Sequence, residues 1–201
     1  MVGVVLVVSA AVLMVDSRLR TALVAYLVFT GATLWLAFPH VIGVRGFALF
    51  ATIAVAKLIV GPALILWIVR RYRVPGDLSS SFNVAWRIAC AVGAVSAGYA
   101  IAGMHAFRDV PLADAVFAAV FSGAAILILH RNLLAHVIGL LALGSAISLA
   151  GIVFAPTLSG AVELADTFDI VIATLLGLAI ARTLIAYDPN LDVRSLRNLR
   201  G

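Results

Sequence analysis

The sequence predicts an all-α membrane protein, a polytopic bundle of about seven transmembrane helices, on three observations. The 201 residues are 64% hydrophobic and only 11% charged, whereas soluble domains average about 25% charged residues. The apolar segments are long and lack the alternation that a transmembrane barrel requires. The arginines concentrate on one side of the predicted membrane. Together these features predict an integral membrane protein rather than a globular domain.

Hydropathy divides the chain into seven predicted spans. In order they are roughly Val2–Val15, Thr21–Phe38, Gly46–Val69, Ile88–Met104, Leu112–Leu129, Asn132–Phe154 and Ala161–Ile185. The first is short for a hydrocarbon core of about 30 Å, although it could extend through Leu19. Because no basic segment precedes it, we expect a span rather than a cleaved signal peptide.

The arginine distribution predicts the orientation of these spans. One side collects eleven arginines: Arg18, Arg20, Arg70, Arg71, Arg73, Arg87, Arg131, Arg182, Arg194, Arg197 and Arg200. The other side collects two, Arg45 and Arg108. Because cytoplasmic loops are enriched in basic residues, we expect the N-terminus outside and the C-terminus in the cytoplasm of a bacterial cytoplasmic (inner) membrane. The same rule explains the net charge of +5 without nucleic acid.

The predicted transmembrane domain covers residues 1–187, and a polar cytoplasmic tail covers 188–201. A polar, turn-rich loop at 70–83 separates three spans within 1–69 from four spans within 84–187. Asp188-Pro189-Asn190 is a stop signal for the last helix.

Lys57 is the only lysine and occupies the twelfth of 24 positions in the third span. At mid-bilayer a charge costs roughly 2.5–3.5 kcal/mol on insertion scales, so a functional role is the default interpretation. Gly61 and Pro62 then interrupt the helix, since Pro62 cannot donate a hydrogen bond to the Leu58 carbonyl. Buried lysines readily exchange protons near neutral pH, which suits a proton relay. A structural lysine–carboxylate pair is the alternative.

The last span carries three carboxylates, Glu163, Asp166 and Asp169, at i, i+3 and i+6 on one broad helix face. Asp169 differs from Lys57 in predicted depth by only about 5 Å, so the two charges could pair directly or through water. Glu163 and Asp166 are candidate relay groups. Alternatively, they stabilise the helix N-terminus and face interfacial water.

Among the remaining polar groups, His136 lies one turn inside the cytoplasmic end of the sixth span. Histidine titrates near neutral pH and could pass protons inward, or it could simply lie at headgroup level. The single cysteine, Cys90, excludes a disulfide framework, and the chain alone cannot ligate an iron–sulfur cluster or nickel–iron centre. No hydrolase, zinc-protease or nucleotide-binding motif occurs. We therefore expect no metal, cofactor or catalytic residue in this chain.

The C-terminal third carries a family resemblance. The stretches HRNLLAHVIGLLALG, ELADTFDIVIATLLGLAIAR and NLDVRSLRNLRG resemble component E of hydrogenase-4, a membrane subunit of formate hydrogenlyase-type complexes, over about residues 130–201. That family is similar to the K subunit of respiratory complex I and the C subunit of multisubunit cation/proton antiporters. Through this resemblance, Lys57 and Asp169 match the family's lysine and aspartate. Arg131 and Asn132 match its Arg-Asn pair, and Pro62 matches the proline that follows the lysine.

Two positions depart from the family pattern. The K subunit of complex I carries a glutamate in each of two helices, where the pair forms part of a proton axis. Gly144 stands where one is expected and Ala173 where the other is, with Asp169 one turn away on the same face. The resemblance thus implies one relocated and one absent carboxylate. A water chain lined by Lys57, Asp169 and a partner carboxylate could substitute.

The resemblance implies a non-catalytic membrane-arm subunit of a complex-I-like oxidoreductase, most closely a group-4 nickel–iron hydrogenase or formate hydrogenlyase. It would link a cytoplasmic redox arm, which holds the nickel–iron centre and iron–sulfur clusters, to antiporter-like proton-pumping subunits. Two alternatives stay open. The chain is a structural adaptor that conducts no ion, or it belongs to a cation/proton antiporter or other ion-coupled uptake complex. On each interpretation it is not an enzyme on its own.

Overall fold

The computed structural model describes residues 2–40, 43–72, 78 and 82–154, and every regular element in these ranges is a helix. In chain order they are α1 (Val2–Val15), α2 (Leu19–Ala37) with a 3-10 turn (Phe38–His40), α3 (Gly43–Val55), a π-helical segment (Ala56–Val60), α4 (Gly61–Tyr72), α5 (Val84–Ala102), α6 (Ala113–Leu129) and α7 (Leu133–Phe154). The predicted span Ala161–Ile185 and the tail lie outside the described residues.

Four stretches of the described helices are long and apolar enough to cross a membrane. They are Leu19–His40, Gly46–Arg71, Val84–Ala102 and Leu133–Phe154. The helices α1 and α6 are also apolar but shorter, at 14 and 17 residues. Each of the six predicted spans in the described ranges coincides with a helix or, for the third span, with the continuous stretch α3–π–α4. The predicted all-helical class is therefore confirmed for this part of the chain, and four of its helical stretches have the length and composition of membrane spans.

The start of α5 differs from the prediction, at Val84 rather than Ile88. Asn83 has an extended backbone, and its side-chain oxygen accepts the backbone N–H of Trp86 at 2.9 Å. This N-cap satisfies an otherwise free donor and starts the helix before the apolar run begins. Arg87 in the first turn lowers the local hydropathy, which is why hydropathy alone places the start too late.

Helices α5, α6 and α7 form a closely packed wall. Each is in contact with the next, and α7 also packs against α2 while α1 packs against α2, α5 and α6. Glycines allow the approach: a Cβ added at Gly98 would lie 2.5 Å from the Ala118 nitrogen, and one at Gly123 would lie 2.8 Å from the Leu143 Cα. Small residues at helix contacts are typical of membrane bundles, because packing rather than the hydrophobic effect holds such helices together.

The two ends of the bundle differ chemically. At one end the Leu78 N–H donates to the Ser17 carbonyl at 2.6 Å, which ties the loop after α4 to the α1–α2 connection. The buried side chains of Arg87 and His130 lie at this end, close to Asp16. The opposite end is closed by three aromatic rings with centroids 4.9–5.8 Å apart, Phe107, Phe117 and Phe154.

The long helix formed by α3, the π segment and α4 carries Lys57. Among the described helices, it makes its main contact with the rest of the bundle where the π segment packs against α2. Just beyond, Gly61 is close to α7, since a Cβ there would lie 3.4 Å from the Leu141 Cδ1. The fold thus brings the π segment against α2 and α7.

Candidate functional site

Lys57 points into the protein rather than toward the lipid-facing surface. Its side chain is 1% exposed, and its Nζ donates to the Ser148 Oγ on α7 at 2.8 Å. The Ser148 hydroxyl in turn donates to the Gly144 carbonyl at 2.8 Å. Because the serine proton is directed at that carbonyl, an oxygen lone pair faces the ammonium. The charge at mid-helix therefore has a preorganised acceptor.

The π-helical segment around Lys57 is a consequence of Pro62. In this segment the Gly61 N–H donates to the Ala56 carbonyl, five residues back, instead of to the Lys57 carbonyl four residues back. The π-helical partner of the Lys57 carbonyl would be the N–H of residue 62, which proline lacks. Short π segments inside α-helices are rare and are frequent at functional sites.

Tyr26 on α2 fills this missing hydrogen bond. Its buried phenolic hydroxyl donates to the Lys57 carbonyl at 3.1 Å. The sequence-based expectation that Pro62 frees the Leu58 carbonyl therefore needs correction: in the π register the acceptor deprived by proline is the Lys57 carbonyl. The Lys57 carbonyl consequently has a hydrogen-bond partner on α2, and the Lys57 ammonium has one on α7.

Two pairs of hydroxyl residues continue the polar surface beside Lys57. The Thr30 Oγ1 and the Ser145 Oγ are 3.4 Å apart across the α2–α7 contact, which is long for a hydrogen bond. The Thr33 hydroxyl donates to the Thr30 carbonyl at 2.8 Å, and the Ser145 hydroxyl donates to the Leu141 carbonyl at 2.9 Å. Of the four hydroxyl side chains, three are buried (Thr30, Thr33 and Ser145) and one is partly buried (Ser148).

These hydroxyl residues were not predicted from the sequence, although a signal for them was present. Thr30 and Thr33 lie at i, i+3 in α2, and Ser145 and Ser148 repeat that spacing in α7. Residues three apart share a helix face. Two hydroxyl pairs on single faces of apolar spans indicate a polar contact between those spans.

A small cavity adjoins this polar surface. Its volume is about 20 Å³, and it is lined by Thr33, Leu34, Ala37, Phe50, Ile53, Lys57, Ser145, Ser148, Leu149 and Ile152. A water molecule needs roughly 10–15 Å³ measured in this way and two to four polar partners. The cavity has room for one water, and Lys57 with the hydroxyls of Thr33, Ser145 and Ser148 supplies the polar partners. The Lys57 ammonium thus borders a cavity that has room for one water.

Of the other predicted relay residues, only His136 lies in the described part of the chain. Its Nδ1 is 2.9 Å from the Asn132 carbonyl, and its side chain is half-buried. Ser148 is twelve residues further along α7, which corresponds to about 18 Å of helix. The structure therefore places His136 near the start of α7, far along the helix from the contact with Lys57. The carboxylates Glu163, Asp166 and Asp169 lie outside the described residues.

A second cluster of buried polar side chains, Arg87 and His130, lies at the end of the bundle where Leu78 is bonded to Ser17. Arg87 is 7% exposed, and its Nε and Nη1 have no hydrogen-bond partner among the described residues. His130 is 3% exposed, with its Nδ1 3.3 Å from the Ile126 carbonyl. Burial lowers the pKa of His130 below its ordinary 6.5, partly offset by the Ile126 and Asp16 carbonyls, and the charge of Arg87 lowers the pKa further.

Asn132 has a structural role at the start of α7. Its side chain is 1% exposed, and its Oδ1 accepts the Leu134 N–H at 2.8 Å. This contact satisfies a free donor in the first turn of the helix. The residue that carries part of the family resemblance thus defines where α7 begins.

Comparisons of the chain with protein-family profiles, with curated proteins and with solved structures found no match.

Proposed function

We propose that the chain is a non-catalytic membrane-arm subunit of a complex-I-like oxidoreductase of the group-4 hydrogenase or formate hydrogenlyase type, in which Lys57 carries protons. The observation that carries the proposal is the buried Lys57 ammonium. It faces a serine acceptor and a cavity large enough for one water. In the proposed mechanism, protonated Lys57 releases one proton to water in the cavity and later takes one from another group. Redox chemistry belongs to partner subunits.

The position of Ser148 supports the connection to the family. Gly144 stands where the complex I K subunit has a glutamate, and the Ser148 hydroxyl donates to the Gly144 carbonyl while accepting from Lys57. The Lys57 ammonium therefore reaches the same region of α7 that the carboxylate would occupy. In the proposal, serine hydroxyls and water take over the role of the absent carboxylate.

The proposed topology has seven spans, with the N-terminus outside and the C-terminus in the cytoplasm. The structural support is the clustering of connections at one end of the bundle. The α1–α2 connection is bonded to the loop after α4, and His130 lies near Arg87 and Asp16. The predicted cytoplasmic arginines of these connections therefore lie at the same end of the bundle. The positive-inside rule requires this of arginines on one side of the membrane.

The test is proton translocation by the intact complex. We expect Lys57→Met to leave assembly intact and to lower the number of protons translocated per electron pair, because methionine fills similar space without a transferable proton. Asp169→Asn should act in the same direction. Proton uptake by proteoliposomes during turnover measures both variants. Unchanged translocation in both would contradict the relay role.

A matched control is Arg87→Met, which also exchanges a buried cation for methionine. The arginine guanidinium stays protonated in proteins, so it cannot carry a proton. We expect this variant to retain the normal proton stoichiometry if the complex assembles. If Lys57→Met and Arg87→Met lowered the number of protons translocated per electron pair equally, the loss would reflect general damage to the complex and not the removal of a proton carrier.

The structural adaptor remains the second candidate, and one observation favours it. Lys57 contacts α2 through its carbonyl and α7 through its ammonium, so it holds three helices together. On this alternative, Lys57→Met would weaken assembly while the assembled fraction would pump normally. Quantifying assembled complex beside proton translocation separates the two functions.

The partners are tested by purifying the native complex and identifying its subunits by mass spectrometry. Nickel–iron hydrogenase subunits together with antiporter-like membrane subunits would support the proposal. Antiporter subunits alone would support a cation/proton antiporter instead.

A further inference from the structure

Pro62 forces a choice between two backbone registers in the Lys57 helix. In an α register the Gly61 N–H would bond the Lys57 carbonyl, and the Leu58 carbonyl would lose its donor to proline. In the observed π register the Gly61 N–H bonds the Ala56 carbonyl, and the Lys57 carbonyl loses its donor instead. Each register therefore leaves one carbonyl that needs an outside donor.

The structure supplies that donor for the π register. The Tyr26 hydroxyl is 3.1 Å from the Lys57 carbonyl, and both residues are buried. A buried carbonyl without a partner is costly, so a donor at this place favours the register that needs it. Tyr26 thus stabilises the π segment against the α register.

The register determines the direction of the Lys57 side chain. A π segment contains one extra residue, and each residue of an α-helix turns the chain by about 100°. Converting the segment to an α register would rotate Lys57 relative to the half of the helix held by Ile65 and Ile68 in the core. The ammonium would then leave the Ser148 hydroxyl, from which it is 2.8 Å in the π register.

We infer that Tyr26 is the positioning residue of Lys57, because its hydroxyl replaces the hydrogen bond that Pro62 cannot make and so holds the register that aims the ammonium at Ser148 and the cavity. The functional meaning of this inference rests on the proposed proton-carrying role of Lys57. The positioning itself does not, and it can be measured separately.

The single lysine makes a direct experiment possible. In the full-length chain in nanodiscs, carbonyl-¹³C and ζ-¹⁵N labelled lysine gives one carbonyl and one ammonium resonance, both from Lys57. In Tyr26→Phe the carbonyl resonance should move, because the Lys57 carbonyl loses the tyrosine hydroxyl in the π register and accepts the Gly61 N–H in the α register. The ammonium resonance should also shift, because loss of one hydrogen bond lowers the ratio of π to α register by a factor of about five.

Tyr99→Phe is the matched control. It removes the same hydroxyl from a residue of α5 that is 46% exposed, and both lysine resonances should stay where they are. A carbonyl shift without an ammonium shift in Tyr26→Phe would overturn the inference, since Tyr26 would bond the carbonyl without aiming the side chain. Absence of both shifts would also overturn it.

Pro62→Ala provides a second variant if Tyr26→Phe fails to fold. Returning an N–H to position 62 satisfies the Leu58 carbonyl in the α register, so the π segment loses its advantage and the ammonium resonance should shift. An unchanged ammonium resonance would show that the proline–tyrosine pair does not set the register, which overturns the inference.

The outcome for the proposed function is distinguishable. Resonance shifts in Tyr26→Phe together with unchanged proton translocation in Lys57→Met would keep the positioning role and remove the proton-carrying role. Reduced translocation in Lys57→Met with unmoved resonances in Tyr26→Phe would do the reverse.

Discussion

The described structure buries two cations, Lys57 and Arg87, in different surroundings. Lys57 lies in the middle of a long apolar helix, and the two polar ends of the residue are bonded to α2 and α7. Arg87 lies in the first turn of α5, and its Nε and Nη1 have no hydrogen-bond partner among the described residues. The Lys57 ammonium has a hydrogen-bond acceptor in the Ser148 hydroxyl, whereas the Arg87 guanidinium is buried beside His130.

The difference teaches how depth and chemistry decide what a buried charge can do. A charge in the middle of an apolar helix cannot reach bulk water, so the ammonium needs acceptors supplied by the protein or by water enclosed in it. Arg87 lies at the end of the bundle, where polar surroundings lower the free-energy cost of burying a charge. Its guanidinium therefore needs fewer hydrogen bonds from the protein than the Lys57 ammonium does. Because lysine can lose its proton and arginine cannot, only Lys57 suits a relay.

The largest expected effect concerns the acceptor of Lys57. Ser148→Ala removes the hydroxyl that receives the ammonium, and we expect it to lower the stability of the purified chain by about 1–2 kcal/mol. Thermal unfolding in detergent measures this loss. Ser96→Ala, at an exposed position of α5, is the control and should change little.

Adding Lys57→Met should suppress that loss, because without the charge the alanine leaves no unsatisfied donor. If Ser148→Ala destabilised the chain equally with and without the lysine, the serine would not act as the acceptor of the ammonium. Lys57 and Arg87 would then no longer differ in how their charges are satisfied.

A smaller effect of opposite sign is expected at the other cation. Arg87→Met removes a buried guanidinium whose Nε and Nη1 have no hydrogen-bond partner among the described residues, and it roughly keeps the length of the side chain. Replacing such a charge with an apolar residue is often neutral or stabilising, and we expect a gain of about 0–1 kcal/mol in the purified chain. The same thermal unfolding assay applies. A clear loss of stability would reveal that Arg87 is satisfied after all.

The smallest expected effect is a pH dependence from His130. Its pKa is lowered in the folded chain, so below the ordinary value of 6.5 the unfolded chain binds more protons than the folded one. Stability should therefore fall as the pH drops below about 6.5. His130→Gln should flatten that dependence in unfolding measured between neutral and mildly acidic pH. An unchanged profile in this variant would contradict a buried neutral histidine beside Arg87.

Much of the fold was predictable from the sequence, because the hydropathy of a segment depends only on the residues within that segment. Helices lie at all six predicted spans in the described ranges, and the place of Lys57 midway along the third span is read directly from the sequence. A disturbance of the hydrogen bonding at Pro62 was also predictable, although the helix is not interrupted there and continues through a π segment. Its form was not, because the choice between the Leu58 and Lys57 carbonyls depends on a tyrosine 31 residues away along the chain.

The surroundings of the two cations were harder to predict. Ser148 and the hydroxyl pairs are weakly polar residues in apolar spans, and only the packing of α2 on α7 turns them into one surface. Arg87 was assigned to a solvated cytoplasmic connection because of its charge. The N-cap at Asn83 starts α5 four residues early and draws Arg87 into the bundle.

The π segment also matters for any future alignment of related sequences. A five-residue hydrogen-bonded turn holds one residue more than the regular turn, as though a single amino acid had been inserted between Val55 and Gly61. Relatives that lack the proline should have a helix shorter by that one residue. Their third spans will then match this one only when a one-position gap is allowed there, and an ungapped comparison would pair the wrong faces on one side of the lysine.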